Sequence, residues 1–159
     1  MILVLLGTQN NNFHRLLEEI ERLIQSQVIK EEVVVQAGYT KYTSENMKIL
    51  DFIPKEELEN LQNQANLIIT HGGVGSILQC ITKNKKVIAV PRLHQYEEHV
   101  NNHQTQIVEV FNQKGYIVGI QGIEELEKAI RQAEQFKPKK YTQNHDKMLK
   151  IIEDFIENC

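Results

Sequence analysis

The sequence predicts a single α/β domain in which about six parallel strands are covered on both faces by helices. Short apolar runs alternate along the chain with longer segments whose apolar residues recur every three or four positions. This alternation is typical of a parallel sheet, because each crossover between parallel strands needs a long connection, usually a helix. The 159 residues, 41% hydrophobic and 25% charged, are sufficient for one domain with a sizeable core.

Each predicted element follows from a local pattern. Apolar or β-branched runs predict strands over residues 2–6, 33–35, 47–52, 67–69, 87–90 and 116–120. Helical spacing of apolar residues predicts helices over residues 13–24, 54–61, 74–81, 100–111, 123–133 and 148–156. Pro54 is suited to open the second helix, and Gly115 to end the fourth. We assign residues 1–159 to this one domain, with residues 137–159 as a basic linker followed by the last helix.

Composition and charge exclude several classes of protein. The net charge of −3 and the pI near 6.1 give no support for nucleic-acid binding, which usually needs a basic face. No apolar run approaches the ~18 residues of a membrane span, and the apolar start lacks the basic region of a signal peptide. The two cysteines, Cys80 and Cys159, have neither a metal-binding nor a disulfide spacing. We therefore expect a cytoplasmic protein.

A glycine-rich segment, residues 70–76 (Thr-His-Gly-Gly-Val-Gly-Ser), lies between the fourth predicted strand and the third predicted helix. The start of a helix favours anions, because its N–H groups are free and its dipole is positive there. Glycine also lets the backbone approach a phosphate closely. The residues expected to bind a phosphate are Gly72, Gly73, Gly75 and Ser76, and Val74 between them is a further candidate binding residue.

Two familiar phosphate motifs do not match this segment. A P-loop is excluded because no Gly-Lys-Ser/Thr follows the glycines. The dinucleotide fingerprint is excluded because Leu78 stands where its third glycine would be. A tight turn that needs glycine only for its backbone angles remains an alternative. His71 could either orient a phosphate or support the turn as a neutral imidazole.

A second polar segment, residues 92–104, follows the predicted strand at 87–90 and Pro91. Ligands of open parallel sheets bind outside the carboxyl ends of the strands. The imidazole, amide and carboxylate groups here suit a polyhydroxylated ligand such as a sugar. The candidate residues are Arg92, Glu98, His99, Asn102, His103 and Gln104.

Alternatives stay open for each of these candidates. Arg92 could pair with a phosphate or with Glu97, and Glu98 could be a solvated residue at a helix start. Asn102, His103 and Gln104 could reach a ligand or face solvent. His99 and His103 stand four residues apart, but no third ligand is evident, so we predict no metal site.

These motifs, in this order and at these spacings, resemble the donor-binding half of the GT-B glycosyltransferases. Within that class the sequence is similar to family 28 C-terminal-domain proteins. Its short members include the soluble subunit of the two-part dolichol-pathway N-acetylglucosaminyltransferase and bacterial capsule or exopolysaccharide subunits of the β-1,4-galactosyltransferase enhancer type. The resemblance covers roughly residues 1–120. The matching segments are Gly7-Thr8-Gln9, Phe13–Leu16, Gln36–Thr40, His71–Ser76, Pro91-Arg92 and Glu98–Gln104.

The resemblance implies a Rossmann-like domain that binds a UDP-sugar without a metal or another cofactor. Glu98 and His99 would occupy the acid–amide pair that contacts the donor sugar, with histidine in place of the usual amide. Gly7, Thr8 and Gln9 would lie on the edge that faces the cleft and contact donor or acceptor. The alternative is a turn whose polar side chains satisfy its own backbone. No catalytic base is identified.

The resemblance also implies a partner, because a GT-B enzyme has two Rossmann-like domains and this chain is about half that size. We expect a heterodimer with a membrane-anchored, acceptor-binding glycosyltransferase subunit at the cytoplasmic face of the membrane. The predicted function is the donor-binding half of a two-component inverting transferase in capsule or exopolysaccharide synthesis. It would transfer sugar from UDP-galactose or UDP-N-acetylglucosamine to a lipid-linked saccharide. A non-catalytic enhancer and an unrelated nucleotide-binding module are the alternatives.

Overall fold

The computed structural model describes residues 1–142 and contains one six-stranded sheet in which every pair of neighbouring strands is parallel. The strands are β1 (Ile2–Leu5), β2 (Val33–Gln36), β3 (Lys48–Leu50), β4 (Leu67–His71), β5 (Val87–Val90) and β6 (Val118–Gly119). The helices are α1 (His14–Gln25), α2 (Lys55–Gln64), α3 (Val74–Thr82), α4 (His103–Gln113) and α5 (Leu126–Ala133). Short 3₁₀ turns cover His94–Tyr96 and Ile123–Glu125.

The strand order is β3-β2-β1-β4-β5-β6, so the chain reverses its direction of winding between β1 and β4. Strand β1 pairs with β2 on one side and with β4 on the other, with Ile2 opposite both Val33 and Leu67. In such a sheet a crevice opens at the carboxyl ends of the two strands where the order reverses. Here those strands are followed by Gly7 and by the glycine-rich segment.

The core has two apolar layers, one on each face of the sheet, because alternate strand residues point to opposite faces. On one face Val4 and Leu6 pack with the apolar sides of α1 and α5, which include Leu17 and Ile130. On the other face Leu3 and Leu5 pack with α3 and α4, which include Ile77 and Phe111. All four residues of β1 are buried, as expected for the central strand of a sheet that is covered on both faces.

The predicted α/β class, the parallel sheet and its six strands are confirmed, and the main error concerns the start of α4. Helical spacing placed Val100 on that helix, but α4 begins at His103 and Val100 is 76% exposed. Side-chain bonds explain the late start, because Asn101 Oδ1 accepts the His103 N–H at 2.9 Å and Asn102 Oδ1 accepts the His94 N–H at 2.8 Å. Asparagine bonds of this kind compete with helical hydrogen bonds.

The edge strands are shorter than predicted, with three residues in β3 and two in β6. Each edge strand has only one neighbour, so fewer ladder hydrogen bonds extend it. No helix within residues 1–142 is both long and apolar enough to cross a bilayer. The predicted helix at residues 148–156 lies outside the described residues.

Candidate functional site

The carboxyl ends of β1, β2, β3 and β4 surround a cavity of about 330 Å³, which we call the inner cavity. It lies at the crevice between β1 and β4, where the topology predicts a ligand. It brings together residues from both glycine-containing turns. The predicted site residues that line it are Gly7, Thr8, Gln9, His71, Gly73, Gly75 and Ser76.

Gly7 shapes the first of these turns. Its φ of +81° is a left-handed conformation, and a Cβ there would lie 2.5 Å from His71 Nε2. Its peptide group is held by Gln36, whose Oε1 accepts the Gly7 N–H at 3.3 Å and whose Nε2 donates to the Gly7 carbonyl at 3.2 Å. The turn is therefore supported from β2, and only glycine allows the His71 ring to pack beneath it.

The first turn of α3 forms the opposite wall of the inner cavity. Gly73 precedes this helix and packs against the His71 ring, with no room for a Cβ. A Cβ at Gly75, by contrast, would meet no atom within 4 Å. Because the first N–H groups of a helix have no intrahelical acceptor, this turn offers hydrogen-bond donors beside open space. That arrangement suits an anionic ligand.

His71 lies buried between the two turns and is held at both ring nitrogens. Its Nε2 is 3.2 Å from Ser76 Oγ, and its Nδ1 is 3.3 Å from Gln104 Nε2. Burial lowers the pKa of His71 to about 3, and the positive charge of Arg92 acts in the same direction. His71 is therefore neutral near pH 7 and supports the turn, which is the second of the two roles predicted for it.

Gln104 does not line the inner cavity but braces it from behind. This buried side chain reaches from α4, and its Oε1 accepts the Gly72 N–H at 3.0 Å and the Arg92 N–H at 2.9 Å. A Cβ at Gly72 would lie 2.9 Å from the Cβ of Gln104, so glycine is needed for this close packing. The end of β4 and the end of β5 are thus joined through one amide.

Arg92 is 1% exposed, and its guanidinium is bound to backbone carbonyls. Its guanidinium donates to the backbone carbonyls of Leu6, of Asn11 at 2.7 Å and of Glu98 at 3.1 Å, and it lies 5.0 Å from the Phe13 ring centroid. Burial lowers the pKa of Arg92 to about 10, although Glu98 opposes this shift. Arg92 therefore joins the loop after β1 to the loop after β5, and its contacts are with these backbone carbonyls and not with Glu97.

Glu98 is 2% exposed and is not a solvated helix start. Its two carboxylate oxygens accept from Nε and from NH2 of Arg15, each at 3.0 Å, and Oε1 also accepts the Leu93 N–H at 3.0 Å. Arg15, on α1, was not among the predicted site residues. It stands 83 positions from Glu98 in the chain, so no local pattern indicated this pair.

His99 lies at the rim of a second, more open cleft of about 440 Å³, which we call the outer cleft. Its Nε2 is 3.1 Å from Nε2 of Gln9, which lines the inner cavity, so the contact between these two side chains lies between the inner cavity and the outer cleft. Burial, followed by the charges of Arg92 and His103, lowers the pKa of His99. Of the remaining predicted residues, Asn102 supports this loop and His103 begins α4.

The structure adds lining residues to the inner cavity that the sequence analysis missed. Their common feature is position, since each follows a parallel strand at its carboxyl end or lies on the cavity side of α2 or α3. Gln79 could have been found, because it lies one helical turn after Ser76. The others depend on the strand order, which local patterns do not reveal. They are Leu5, Gln36, Phe52, Ile53 and Leu58.

Within residues 1–142 no three histidine, cysteine, aspartate or glutamate side chains are placed to share a metal ion. The inner cavity instead combines a helix N-terminus and hydroxyl and amide groups with the apolar side chains of Leu5, Phe52, Ile53 and Leu58. The fold and this site define a Rossmann-like α/β domain of the kind found in GT-B glycosyltransferases.

Comparison with known proteins identifies the family. The model of the glycosyltransferase family 28 C-terminal domain matches residues 1–159, so the chain belongs to this family. Two curated relatives are described as UDP-N-acetylglucosamine transferase subunit ALG13. The Candida albicans protein is 26% identical over 104 residues, which are 65% of this chain and 34% of that protein. The Candida glabrata protein is 32% identical over 93 residues, 58% of this chain and 43% of that protein.

Solved structures agree on the fold. The solution structure of ALG13 has a TM-score of 0.60 at 19% identity, with 95% of this chain and 93% of that chain covered. The crystal structure of Acinetobacter baumannii MurG has a TM-score of 0.54 at 15% identity, covering 97% of this chain and 49% of that chain. The matched part of the chain spans less than half the length of each of the two curated relatives.

Proposed function

We propose that this chain is the donor-binding subunit of a two-component inverting glycosyltransferase. It would bind a UDP-sugar and present it to an acceptor held by a partner subunit. The observation that carries the proposal is the open first turn of α3 in the inner cavity, where no atom lies within 4 Å of a Cβ built on Gly75. Backbone N–H groups there, together with the Ser76 hydroxyl, provide donors for a diphosphate.

The rest of the inner cavity suits a nucleoside. Leu5, Phe52, Ile53 and Leu58 provide an apolar surface for the flat face of a base, and the exposed Gln79 amide can bond a ribose hydroxyl. The sugar would then pass Gln9 and His99 toward the outer cleft, whose lining is rich in amide and imidazole groups. These are the groups that pair with sugar hydroxyls.

The chemistry assigned to this chain is binding and stabilisation of the leaving group. As the bond between sugar and diphosphate breaks, negative charge grows on the phosphate oxygen that leaves. In the proposed binding mode the diphosphate lies at the N-terminus of α3, whose positive end would stabilise the charge where it develops. The base that activates the acceptor hydroxyl would come from the partner subunit.

The donor and the setting are part of the proposal. The two relatives described as UDP-N-acetylglucosamine transferase subunits favour UDP-N-acetylglucosamine, and UDP-galactose is the other donor to test. The same descriptions name a subunit, which supports a heterodimer. We propose a membrane-anchored, acceptor-binding partner that recruits this chain to the cytoplasmic face of the membrane. The acceptor would be a lipid-linked saccharide in capsule or exopolysaccharide assembly.

The experiment is reconstitution of sugar transfer in membranes from a source strain that lacks this chain. Purified protein is added back with labelled UDP-N-acetylglucosamine or UDP-galactose, as wild type and as Gly75→Asp. The substitution adds bulk and negative charge into open space, so the fold should persist while donor binding and transfer are lost. Gly75→Ala tests the added carbon without charge, and Gln132→Glu adds one charge on the exposed side of α5.

A donor-binding subunit is supported if one donor labels a lipid-linked product and only Gly75→Asp loses this labelling. The donor that gives the labelling then identifies the sugar that is transferred. Equal labelling by Gly75→Asp and by wild type would instead favour a non-catalytic enhancer that activates its partner without binding the donor. Labelling that never depends on the added chain would refute both.

A further inference from the structure

Behind the inner cavity a chain of hydrogen bonds runs from Gln104 through His71 to Ser76, and we call it the relay. Its direction is set at Gln104. The Oε1 atom of this amide accepts two backbone N–H groups, those of Gly72 at 3.0 Å and Arg92 at 2.9 Å. A backbone N–H is only a donor, so the oxygen of the amide must face these two groups. The NH₂ of Gln104 therefore faces His71.

This orientation determines which ring nitrogen of His71 carries the proton. Gln104 Nε2 lies 3.3 Å from His71 Nδ1 and can only donate, so Nδ1 is the acceptor. The imidazole is buried and neutral, and a neutral ring has one N–H. Its proton is therefore on Nε2, which lies 3.2 Å from Ser76 Oγ.

His71 and Ser76 both line the inner cavity, but both ring nitrogens of His71 are engaged within the relay, so Ser76 is the member with a proton left for a ligand. Because His71 Nε2–H donates to its oxygen, the Ser76 hydroxyl cannot use its own proton on the histidine. That proton is left for another acceptor, and the hydroxyl lies beside the first turn of α3. A hydroxyl that accepts one hydrogen bond also becomes a better donor of the next.

We propose that Gln104 and His71 are positioning residues that direct the Ser76 proton into the inner cavity, toward a ligand oxygen that only accepts hydrogen bonds. Diphosphate oxygens are of this kind, and their assignment as the ligand rests on the proposed function. The same tautomer excludes Ser76 as a nucleophile activated by His71, because the lone pair of the ring faces Gln104 and not the hydroxyl.

The relay itself can be tested without a ligand. In protein labelled with ¹⁵N-histidine, NMR correlations between ring carbons, protons and nitrogens identify the protonated nitrogen of His71. We expect the neutral tautomer with the proton on Nε2. A proton on Nδ1 in the wild-type protein would overturn the proposal, whatever the protein binds.

Variants then connect the tautomer to binding, which isothermal titration with UDP and with UDP-N-acetylglucosamine measures. Ser76→Ala removes the last donor and should weaken UDP binding roughly 10- to 100-fold, as expected for a hydrogen bond to a charged group. Ser76→Thr keeps the hydroxyl and should restore most of the affinity. Neither variant should move the proton of His71, which the same NMR experiment checks.

Gln104→Glu is the sharpest variant, because it is nearly isosteric and still accepts from Gly72 and Arg92. A carboxylate can only accept, so His71 must now place a proton on Nδ1. In the neutral ring, Nε2 then accepts from Ser76, and UDP binding should fall about as far as in Ser76→Ala. Adding Ser76→Ala to Gln104→Glu should then cost little more, since both act through one group.

The NMR experiment on each sample separates the outcomes. The relay is supported if UDP binds tightly in every sample that has a hydroxyl at residue 76 and a proton on His71 Nε2, and weakly in Gln104→Glu when Nε2 carries no proton. A Gln104→Glu protein that has both ring nitrogens protonated and keeps its affinity also supports the relay. The relay is refuted if Gln104→Glu loses UDP affinity while Nε2 still carries its proton. It is also refuted if Gln104→Glu keeps its affinity after Nε2 has lost that proton. If the wild type binds neither UDP nor UDP-N-acetylglucosamine, the proposed function fails, while the tautomer of the ligand-free protein is judged on its own measurement.

Discussion

Replacing Glu98 by glutamine should destabilise the domain by breaking the ion pair with Arg15. In the wild-type protein two N–H groups of Arg15 each lie 3.0 Å from a carboxylate oxygen of Glu98. Glutamine keeps the size of the side chain, but it has one oxygen and no charge. The Arg15 guanidinium then loses one acceptor outright, and its positive charge loses its partner.

The magnitude follows from burial. The Glu98 side chain is 2% exposed and that of Arg15 is 16% exposed, so the pair is nearly removed from water. Leaving one member of a buried pair without its partner costs about 3–5 kcal/mol. Arg15 keeps the Pro91 carbonyl at 3.3 Å and the ring of Tyr96, and it reaches some water, so we expect about 2–3 kcal/mol. For a chain of this size that loss lowers Tm by about 4–12 °C.

Urea denaturation and thermal unfolding, both followed by circular dichroism, measure this loss. The matched control is Glu97→Gln, because Glu97 is the exposed neighbour of Glu98 and undergoes the same chemical change. That control should stay within about 0.5 kcal/mol of wild type. Arg15→Met in the Glu98→Gln background should cost less than Arg15→Met alone. The reasoning is refuted if Glu98→Gln is no more destabilising than Glu97→Gln.

Three further predictions concern single residues. Gly72→Ala should lower the free energy of unfolding in urea by about 1–3 kcal/mol, because its methyl would lie 2.9 Å from two side chains of α4. Gly75→Ala, in open space on a helix, should leave this free energy unchanged or raise it. Equal destabilisation by the two variants would contradict the close packing at Gly72. The pKa of His71, about 3 when folded, lies below its ordinary 6.5, so the unfolded chain takes up the proton first and stability falls as pH decreases from 6.5 toward 3. The loss of unfolding free energy from this group approaches about 1.4 kcal/mol per pH unit. NMR chemical shifts that show a neutral His71 ring at pH 5 would confirm the low pKa, and a ring that titrates near pH 6 would refute it. Arg92→Lys should cost about 2 kcal/mol, because an ammonium cannot reach all three backbone carbonyls, whereas Arg131→Lys on the exposed side of α5 should change unfolding by less than about 0.5 kcal/mol.

Local patterns predicted the elements because each pattern reports on its own neighbourhood. The apolar run at residues 67–69 became β4, and the helical spacing after the glycines became α3. The same reasoning failed at Val100, where spacing alone implied a helix that asparagine side chains delay until His103. Edge strands were overestimated for a related reason, since strand length depends on neighbours that a local pattern does not contain.

The candidate site likewise has features that local patterns predict and features that depend on the tertiary structure. Its position was predictable, because glycines and polar residues that follow parallel strands must meet at one edge of the sheet. The partners of Arg92 and Glu98 were not, because an arginine or a carboxylate in a polar segment has the same local appearance whether it faces a ligand or the protein. In the structure the side chains of Arg92 and Glu98 both contact other parts of the protein. The ion pair between Glu98 and Arg15 was not predictable, because the two residues are far apart in the sequence.

The class of fold, the sheet edge of the candidate site and the position of the glycine-rich turn before a helix were predictable from the sequence alone. Those properties depend on residue type and on spacing along the chain. Three-dimensional packing was needed to show that Glu98 pairs with Arg15 and that Arg92 joins two loops. It was also needed to show that Gln104 braces the end of β4 and that Ser76 lines the inner cavity. Most buried polar groups have a hydrogen-bond partner. Which partner each one has depends on the strand order and the helix packing, because these bring distant parts of the chain together.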